Sequence, residues 1–219
     1  MDNKIKAFIS LAELFKNNGY SLFLVGGTVR DYLLNVPLTD LDVVTNATPN
    51  DMKTFLIRAN YTFERFGSVK LIYNNEKFDI TTLRKEAIYS DSRHPGQVEF
   101  CDSLDIDVLR RDFTINAMYM DSKLEVIDLV SGQKDINNRI IRMIGNPEIR
   151  LKEDPLRIVR ALRFKINLSF VLDDELYSSI KNNKDLLTKL NRQKIEEEIR
   201  KCHDSKKLRE SLKDLNYLC

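Results

Sequence analysis

The chain of 219 residues holds only two histidines, His94 and His203, and three cysteines, at positions 101, 202 and 219. Cysteines that are odd in number and widely spaced suggest neither a disulfide framework nor a zinc knuckle. Two distant histidines also supply a histidine metal site or a Ser/His/Asp arrangement poorly, so any metal chemistry falls to carboxylates. Long apolar runs are missing as well. The densest, Tyr20 to Val25, has the length of a strand, whereas a membrane span needs about 18 apolar residues. The N-terminus starts an amphipathic pattern without the apolar core of a signal peptide. A cytoplasmic protein with no membrane association is expected.

What is present is globular composition, 42% hydrophobic and 31% charged, unlike the low hydrophobicity and high net charge of disordered chains. The length suits one domain, or one with a small helical appendage. The net charge of +2 is the sum of two opposite parts: residues 1–138 carry −4 and residues 139–219 carry +6. An acidic front part suits cations and a basic back part suits a polyanion. Two ordinary solvated surfaces would give the same totals.

Periodicity divides the chain in the same place. Ile5, Phe8, Ile9, Ala12 and Phe15 share a helical face ahead of Gly19, and a buried strand follows over 21–25. Residues 28–34 read as a short helix and 41–44 as a second strand. Thr48-Pro49 with Asp51 starts a helix expected to reach about Ala59. Residues 69–73 and 77–83 form a hairpin around Asn74-Asn75. Residues 84–103 carry Pro, Gly and many charges with little periodicity, the pattern of a mobile loop. Beyond it a helix over 105–118, a strand over 124–129 and a short helix over 131–138 are expected. From about residue 146 the pattern is helical throughout. The expected fold is therefore α+β: a mixed sheet flanked by helices over 1–138, followed by an all-helical part over 139–219.

Chemistry concentrates first at Leu24-Val-Gly26-Gly27-Thr-Val-Arg30-Asp31 and Thr39-Asp40-Leu-Asp42. A strand that delivers two glycines into a helix start exposes backbone N–H groups to a phosphate. Asp40 and Asp42, two apart on a strand, leave it on one face, where two carboxylates are unfavourable without a cation. Mg²⁺ is the natural occupant, since it takes oxygen ligands and completes its shell with phosphate oxygens. Taken singly, the glycine pair is equally a tight turn and the Asp pair a cap. Together in one stretch they are more specific.

This stretch resembles the first motif of the DNA polymerase β nucleotidyltransferase superfamily, within it the class II tRNA nucleotidyltransferase and bacterial poly(A) polymerase family. Arg110-Arg-Asp-Phe-Thr-Ile-Asn-Ala117 is similar to the second motif, Asp128 to Asp135 to the third and Glu153-Asp-Pro-Leu-Arg157-Ile-Val-Arg160 to the fourth. Residues 190–200 match the fifth more loosely. The resemblance implies a polymerase β-like catalytic head over 1–138 and a helical neck that recognises the base over 139–219. It implies two Mg²⁺ ions on Asp40 and Asp42, with Asp79 as a third catalytic carboxylate or a solvent-facing strand residue. It places Gly26, Gly27 and Arg30 at the triphosphate, Arg110 and Arg111 at phosphate oxygens, and Asp112 or Asn116 at ribose hydroxyls. Arg110, Arg111, Asp112 and Asn116 fall on one predicted helix.

Asp154 and Arg157, at i and i+3, project side by side on a helix; Asp154 also reads as an N-cap paired with Arg157. The resemblance makes them the readers of CTP and ATP bases, supported by Arg160. The implied activity adds CCA to tRNA that lacks it, releasing pyrophosphate, and a loop over 84–100, with Tyr89 to Pro95, favours the complete activity. A poly(A) polymerase or a CC- or A-adding enzyme shares these motifs, and a non-catalytic RNA-binding remnant is the reading from another class. Relatives usually continue into body and tail domains that grip the tRNA. Here a homodimer or a helper chain, with the +6 charge of residues 139–219, is expected to supply that surface.

Overall fold

A computed structural model describes residues 2–85 and 98–215. Most of the loop expected over 84–103, including Tyr89 to Pro95, lies outside the described residues. Two compact units emerge, one of Met1–Arg111 with Ile115–Gly132 and the other of Asp112–Thr114 with Gln133–Cys219.

In the first unit the apolar stripe Ile5, Phe8, Leu11, Ala12 and Phe15 forms the buried face of α1 (Asn3–Asn17), capped by Asp2, whose carboxylate accepts from the Lys4 amide. There follow β1 (Leu22–Val25), α2 (Gly27–Leu33), β2 (Leu41–Thr45), α3 (Pro49–Lys53), β3 (Ser68–Tyr73), β4 (Glu76–Thr82), α4 (Leu104–Leu109), β5 (Tyr119–Met120) and β6 (Val126–Ile127). The strands make one sheet in the order β3-β4-β2-β1-β5-β6. All neighbours are antiparallel except β2 and β4, which run parallel. In that parallel pair Leu41 stands opposite Phe78 and Val43 opposite Ile80, and all four are buried, each such side chain contributing about 1.5–3 kcal/mol. The alternate residues Asp42 and Asp79 are likewise paired, so both leave the sheet on its other face. The hairpin turns at Asn74 and Asn75, both with positive φ, as a two-residue primed turn demands.

Three expectations for this unit are corrected. The helix starting at Pro49 stops at Lys53 instead of reaching Ala59, because Phe55 is drawn onto Phe15 and Tyr20 and the Tyr61 hydroxyl donates to the Leu56 carbonyl. The helix over 105–118 is only α4 and a 3₁₀ turn at Thr114–Asn116. Here Asp112 uses its own carboxylate to accept from the Phe113 amide, and residues 112–114 belong to the other unit. The strand over 124–129 shortens to Val126–Ile127, since Asp121 accepts from the amides of Lys123 and Glu125 in a tight turn and Leu124 takes a positive φ.

The second unit holds α5 (Gly132–Asn138, starting at the boundary), β7 (Ile140–Ile141), α6 (Pro147–Glu153), α7 (Leu156–Leu168), β8 (Val171–Leu172), α8 (Asp174–Asn182), a 3₁₀ stretch (Lys184–Lys189), α9 (Arg192–Arg200) and α10 (Ser205–Asp214). Asn146, Asp173, Asn191 and Asp204 cap α6, α8, α9 and α10, each cap adding about 1 kcal/mol. Helix α7 is central, touching α6, α9, α10, β7 and β8. It buries Ile158, Val159, Ala161, Leu162, Phe164 and Ile166, with Phe113 edge-on to Phe164 at 5.7 Å between ring centroids. Helices dominate this unit as expected, but it also contains the parallel pair β7–β8. Ser169 ends α7 in a left-handed conformation and returns the chain so that the Val171 amide donates to the Arg139 carbonyl. Among the described residues no helix is long and apolar enough to cross a membrane.

Candidate active site

The site of the first unit is built on the face of β2 and β4 opposite their apolar pairs. Asp42 and Asp79 stand opposite each other, and Lys70 of β3 lies next in the row, its ammonium 3.1 Å from an Asp79 oxygen. Asp40 sits one residue before β2, a correction to its expected place on the strand. Its carbonyl and the Asp42 amide are both held by the Thr28 hydroxyl, at 3.4 and 3.1 Å. A cavity of about 220 Å³ opens over these groups, with Gly27, Thr28, Asp40, Asp42 and Asp79 in its lining.

Gly26, with φ +69, caps α2 beside the carboxylates: a side chain there would begin 4.0 Å from Asp42 Oδ2 and from the Asn116 carbonyl. Arg30 donates to Asn116 Oδ1 at 2.6 Å and to Asp31 Oδ1 at 2.9 Å. Gly26, Gly27, Arg30, Asn116, Asp40, Asp42 and Asp79 are thus all assembled within one unit, from segments almost 90 residues apart.

The Asp42 side chain opens to the cavity, yet protein walls surround it. Burial and then the Asp79 charge push its carboxyl up to about 6; Arg111 opposes this, Asp40 adds to it and Lys70 opposes it. Packed like charges of this kind are relieved by a cation. Among the described residues no three His, Cys, Asp or Glu side chains close around one point. The donors lining the cavity, Asp40, Asp42 and Asp79, are carboxylates, whose oxygens are of the kind Mg²⁺ takes alongside water and phosphate.

The motif arginines are organised by a residue that the motif reading missed. Asp107, fully buried in α4, accepts from Arg110 Nε at 2.7 Å and from Arg111 Nη2 at 2.7 Å. Arg110 and Arg111 close the end of α4, so they share no helix with Asp112 or Asn116. Asp107 precedes the two arginines by three and four residues, the spacing at which side chains meet on a helix, and that signal was available in the sequence.

In the second unit Asp112 is held by Arg160, whose Nε donates to Asp112 Oδ2 at 2.7 Å. Arg160 lies 3.9 Å from the buried Glu198, which accepts from Arg163 Nε at 2.7 Å. Asp154 is not in the helix with Arg157. It is extended, with φ −140 and ψ 94, between α6 and α7, and its carboxylate accepts from the Leu156 amide at 3.0 Å. Arg157, 7% exposed, donates to the Arg150 carbonyl at 2.7 Å and to Glu153 at 3.3 Å. The side-by-side projection expected from helical spacing is corrected accordingly: Asp154 is the cap-side residue and Arg157 the helical one.

Residues 22–142, more than half of the chain, match the family described as Poly A polymerase head domain. A CCA-adding enzyme of Lactobacillus helveticus is 42% identical over 194 residues, covering 89% of this chain and 48% of that protein. Among solved structures, the Bacillus stearothermophilus CCA-adding enzyme in complex with CTP matches with a TM-score of 0.84 at 32% identity, over 95% of this chain and 49% of that one. A tRNA nucleotidyltransferase complexed with a primer tRNA and an incoming ATP analog gives a TM-score of 0.78 at 29% identity, over 94% and 60%. The chain spans about half the length of the curated relatives it matches. With its glycine turn and carboxylate row inside the matched span, the chain belongs to the poly(A) polymerase head-domain family.

Proposed function

We propose that this chain carries the catalytic part of a template-independent RNA nucleotidyltransferase that adds CCA to the 3′ end of tRNA from CTP and ATP, releasing pyrophosphate. The observation that carries the reading is the opposition of Asp42 and Asp79 across a parallel strand pair, under a glycine turn. Its likeness to CCA-adding enzymes extends over most of the chain.

In this reading Asp40 and Asp42 hold two Mg²⁺ ions, and Asp79 completes the carboxylate set. When bound, the ions supply activation of a 3′-hydroxyl and charge neutralisation on the triphosphate. The Gly26–Gly27 turn, in which Gly26 takes a φ of +69, presents backbone N–H groups to phosphate oxygens. Arg30, Arg110 and Arg111 donate to the triphosphate, as guanidinium groups do with bidentate geometry. Asp112 or Asn116 hydrogen-bonds ribose hydroxyls and so favours ribonucleotides, Asp112 being held by Arg160 and Asn116 by Arg30.

Asp154 accepts from the exocyclic amino group that cytosine and adenine share, and Arg157 donates to ring nitrogens. Uracil and guanine would not match this arrangement of acceptor and donor, which is how such a site rejects them. The head over 1–138 thus does the chemistry and residues 139–219 read the base.

The test is incubation of the purified chain with tRNA ending at the discriminator base, Mg²⁺ and each nucleotide alone or together, followed by product sequencing. Ordered addition of C, C and A that then halts is expected. Long A tails would establish polyadenylation instead, and CC or A alone a partial activity. Asp42→Ala is expected to abolish addition while leaving RNA binding intact; addition by that variant would refute the carboxylate assignment.

A further inference from the structure

Asp107 is the most enclosed carboxylate among the described residues, with no exposed surface. Its Oδ1 accepts from Arg110 Nε at 2.7 Å and from the Arg84 amide at 3.3 Å, and it lies 2.7 Å from Arg110 Nη2 in an ion pair. Its Oδ2 accepts from Arg111 Nε at 3.0 Å, Arg111 Nη2 at 2.7 Å and the Tyr119 hydroxyl at 2.8 Å. The Tyr119 oxygen itself accepts from Arg111 Nε at 3.2 Å, and Tyr119 is fully buried on β5. Burial alone would push the Asp107 carboxyl up, but Arg111 and Arg110 hold it below the usual carboxylate range.

A buried ion pair of this kind is weak evidence for stability, because its desolvation cancels most of its attraction and a well-packed apolar group serves as well. Its effect on geometry is less replaceable. Gripping the Nε and Nη2 edge of a guanidinium fixes its plane, and Asp107 does this to two consecutive arginines at once. One carboxylate against two guanidinium groups leaves a net positive charge, and the Arg111 charge is felt at Asp42.

The geometry points to Asp107 as a positioning residue for the nucleotide triphosphate: through the Nε edges of Arg110 and Arg111 it fixes both guanidinium groups. This inference rests on the reading of Arg110 and Arg111 as phosphate donors. It assigns Asp107 no contact with substrate. Its effect must therefore scale with the phosphates of the ligand and not with the base or ribose.

Calorimetric titration of the full chain with CTP and with CMP, in Mg²⁺ and without RNA, separates the possibilities. Asp107→Asn, which keeps the size of the side chain but loses its charge, is expected to weaken CTP binding by about 10-fold, the usual effect of a charged hydrogen bond, with CMP binding unchanged. A merely structural Asp107 would weaken both ligands alike or neither, and either result overturns the inference. Asp107→Glu is expected to restore part of the CTP affinity. Should Asp107→Asn fail to fold, Tyr119→Phe removes one hydrogen bond from the same carboxylate. It is expected to weaken CTP binding by about 3-fold, and wild-type affinity would overturn the inference. Arg111→Ala tests the underlying reading separately. If it leaves CTP binding intact, the phosphate role of Arg111 is wrong; if it weakens binding while Asp107→Asn does not, only the positioning role falls.

Discussion

Removing the Thr28 hydroxyl should loosen the carboxylate cradle without touching a carboxylate. Thr28 is buried, and its Oγ1 links the Asp40 carbonyl and the Asp42 amide at 3.4 and 3.1 Å. Thr28→Val keeps the shape and the methyl group and deletes only these bonds. A buried donor left unsatisfied costs about 1–3 kcal/mol. The first contact is long and the cavity admits water, so the lower half of that range, about 1.5 kcal/mol, applies. For a chain of this size about 2–4 °C of Tm corresponds to each kcal/mol, which gives a fall of about 3–6 °C. Thr28→Ser is the control: it keeps the hydroxyl and loses one methyl, at about 1 kcal/mol, and its Tm should fall by about 2–4 °C. Stability alone separates the two poorly, but metal binding does not. With Mn²⁺ as a spectroscopic probe, Val should weaken binding by about 5-fold or more while Ser retains wild-type affinity, in line with the one or two hydrogen bonds lost. Equal affinities for Val and wild type, or equal losses for Val and Ser, would refute the idea that this hydroxyl holds Asp40 and Asp42 in place.

Three further outcomes follow from the same geometry. Asp42 titrates at about 6 in the fold against 3.8 for the ordinary group, so its ionisation opposes folding: the penalty is absent below about pH 4 and complete above about pH 6. Two pH units correspond to about 3 kcal/mol, reduced to about 1 kcal/mol because the carboxylate faces cavity water. Asp42→Asn should therefore raise the Tm of metal-free protein at pH 8 and leave it unchanged at pH 3.5; an equal shift at both pH values would refute this. Gly67→Ala should destabilise by about 1–3 kcal/mol in urea titration, since the new Cβ would lie 2.7 Å from Phe100 Cε1 at a φ of +77; wild-type stability would show that this packing yields. Arg157→Ala should cut the preference for CTP over UTP by about 10-fold or more, and unchanged discrimination in single-nucleotide incorporation would exclude base reading by Arg157.

The fold was legible where one signal sufficed. The stripe of α1, the Asn74–Asn75 hairpin and the capped start of α3 follow from periodicity, from residues tolerant of positive φ, and from Thr48 and Pro49. What sequence alone could not show was where tertiary contacts overrule local preference. Phe55 continues a helical pattern, yet packing against Phe15 and Tyr20 takes it out of the helix. Residues 105–118 are periodic enough for one helix, but 112–114 join the other unit, and no local preference encodes that departure. The two-residue strands β5 to β8 are too short to carry a period at all.

The site shows the same division. The Gly26–Gly27 turn and the Asp40–Asp42 pair are contiguous in sequence, so their chemistry was readable. Asp79 was readable as an alternating strand residue, but its opposition to Asp42 depends on β2 and β4 being parallel neighbours, a register that no segment of either strand specifies alone. Asp154 is the instructive case, because the sequence did contain the correcting signal. It precedes Pro155, and the proline ring disfavours helical backbone at the residue before it. The observed φ of −140 and ψ of 94 obey that restriction, so counting Asp154 and Arg157 as i and i+3 of one helix applied a rule whose premise the proline had removed. The consequence is chemical. The Asp154 carbonyl still accepts from the Arg157 amide at 3.1 Å, but its carboxylate is held by the Leu156 amide and the Arg157 guanidinium by the Arg150 carbonyl and Glu153, so the two side chains are set by different hydrogen bonds. Pro155→Ala should therefore free the Asp154 backbone to turn helical and displace its carboxylate from the Leu156 amide while Arg157 keeps its Arg150 and Glu153 contacts; a crystal structure of the variant reads both, and an unmoved Asp154 would refute the role given to the proline.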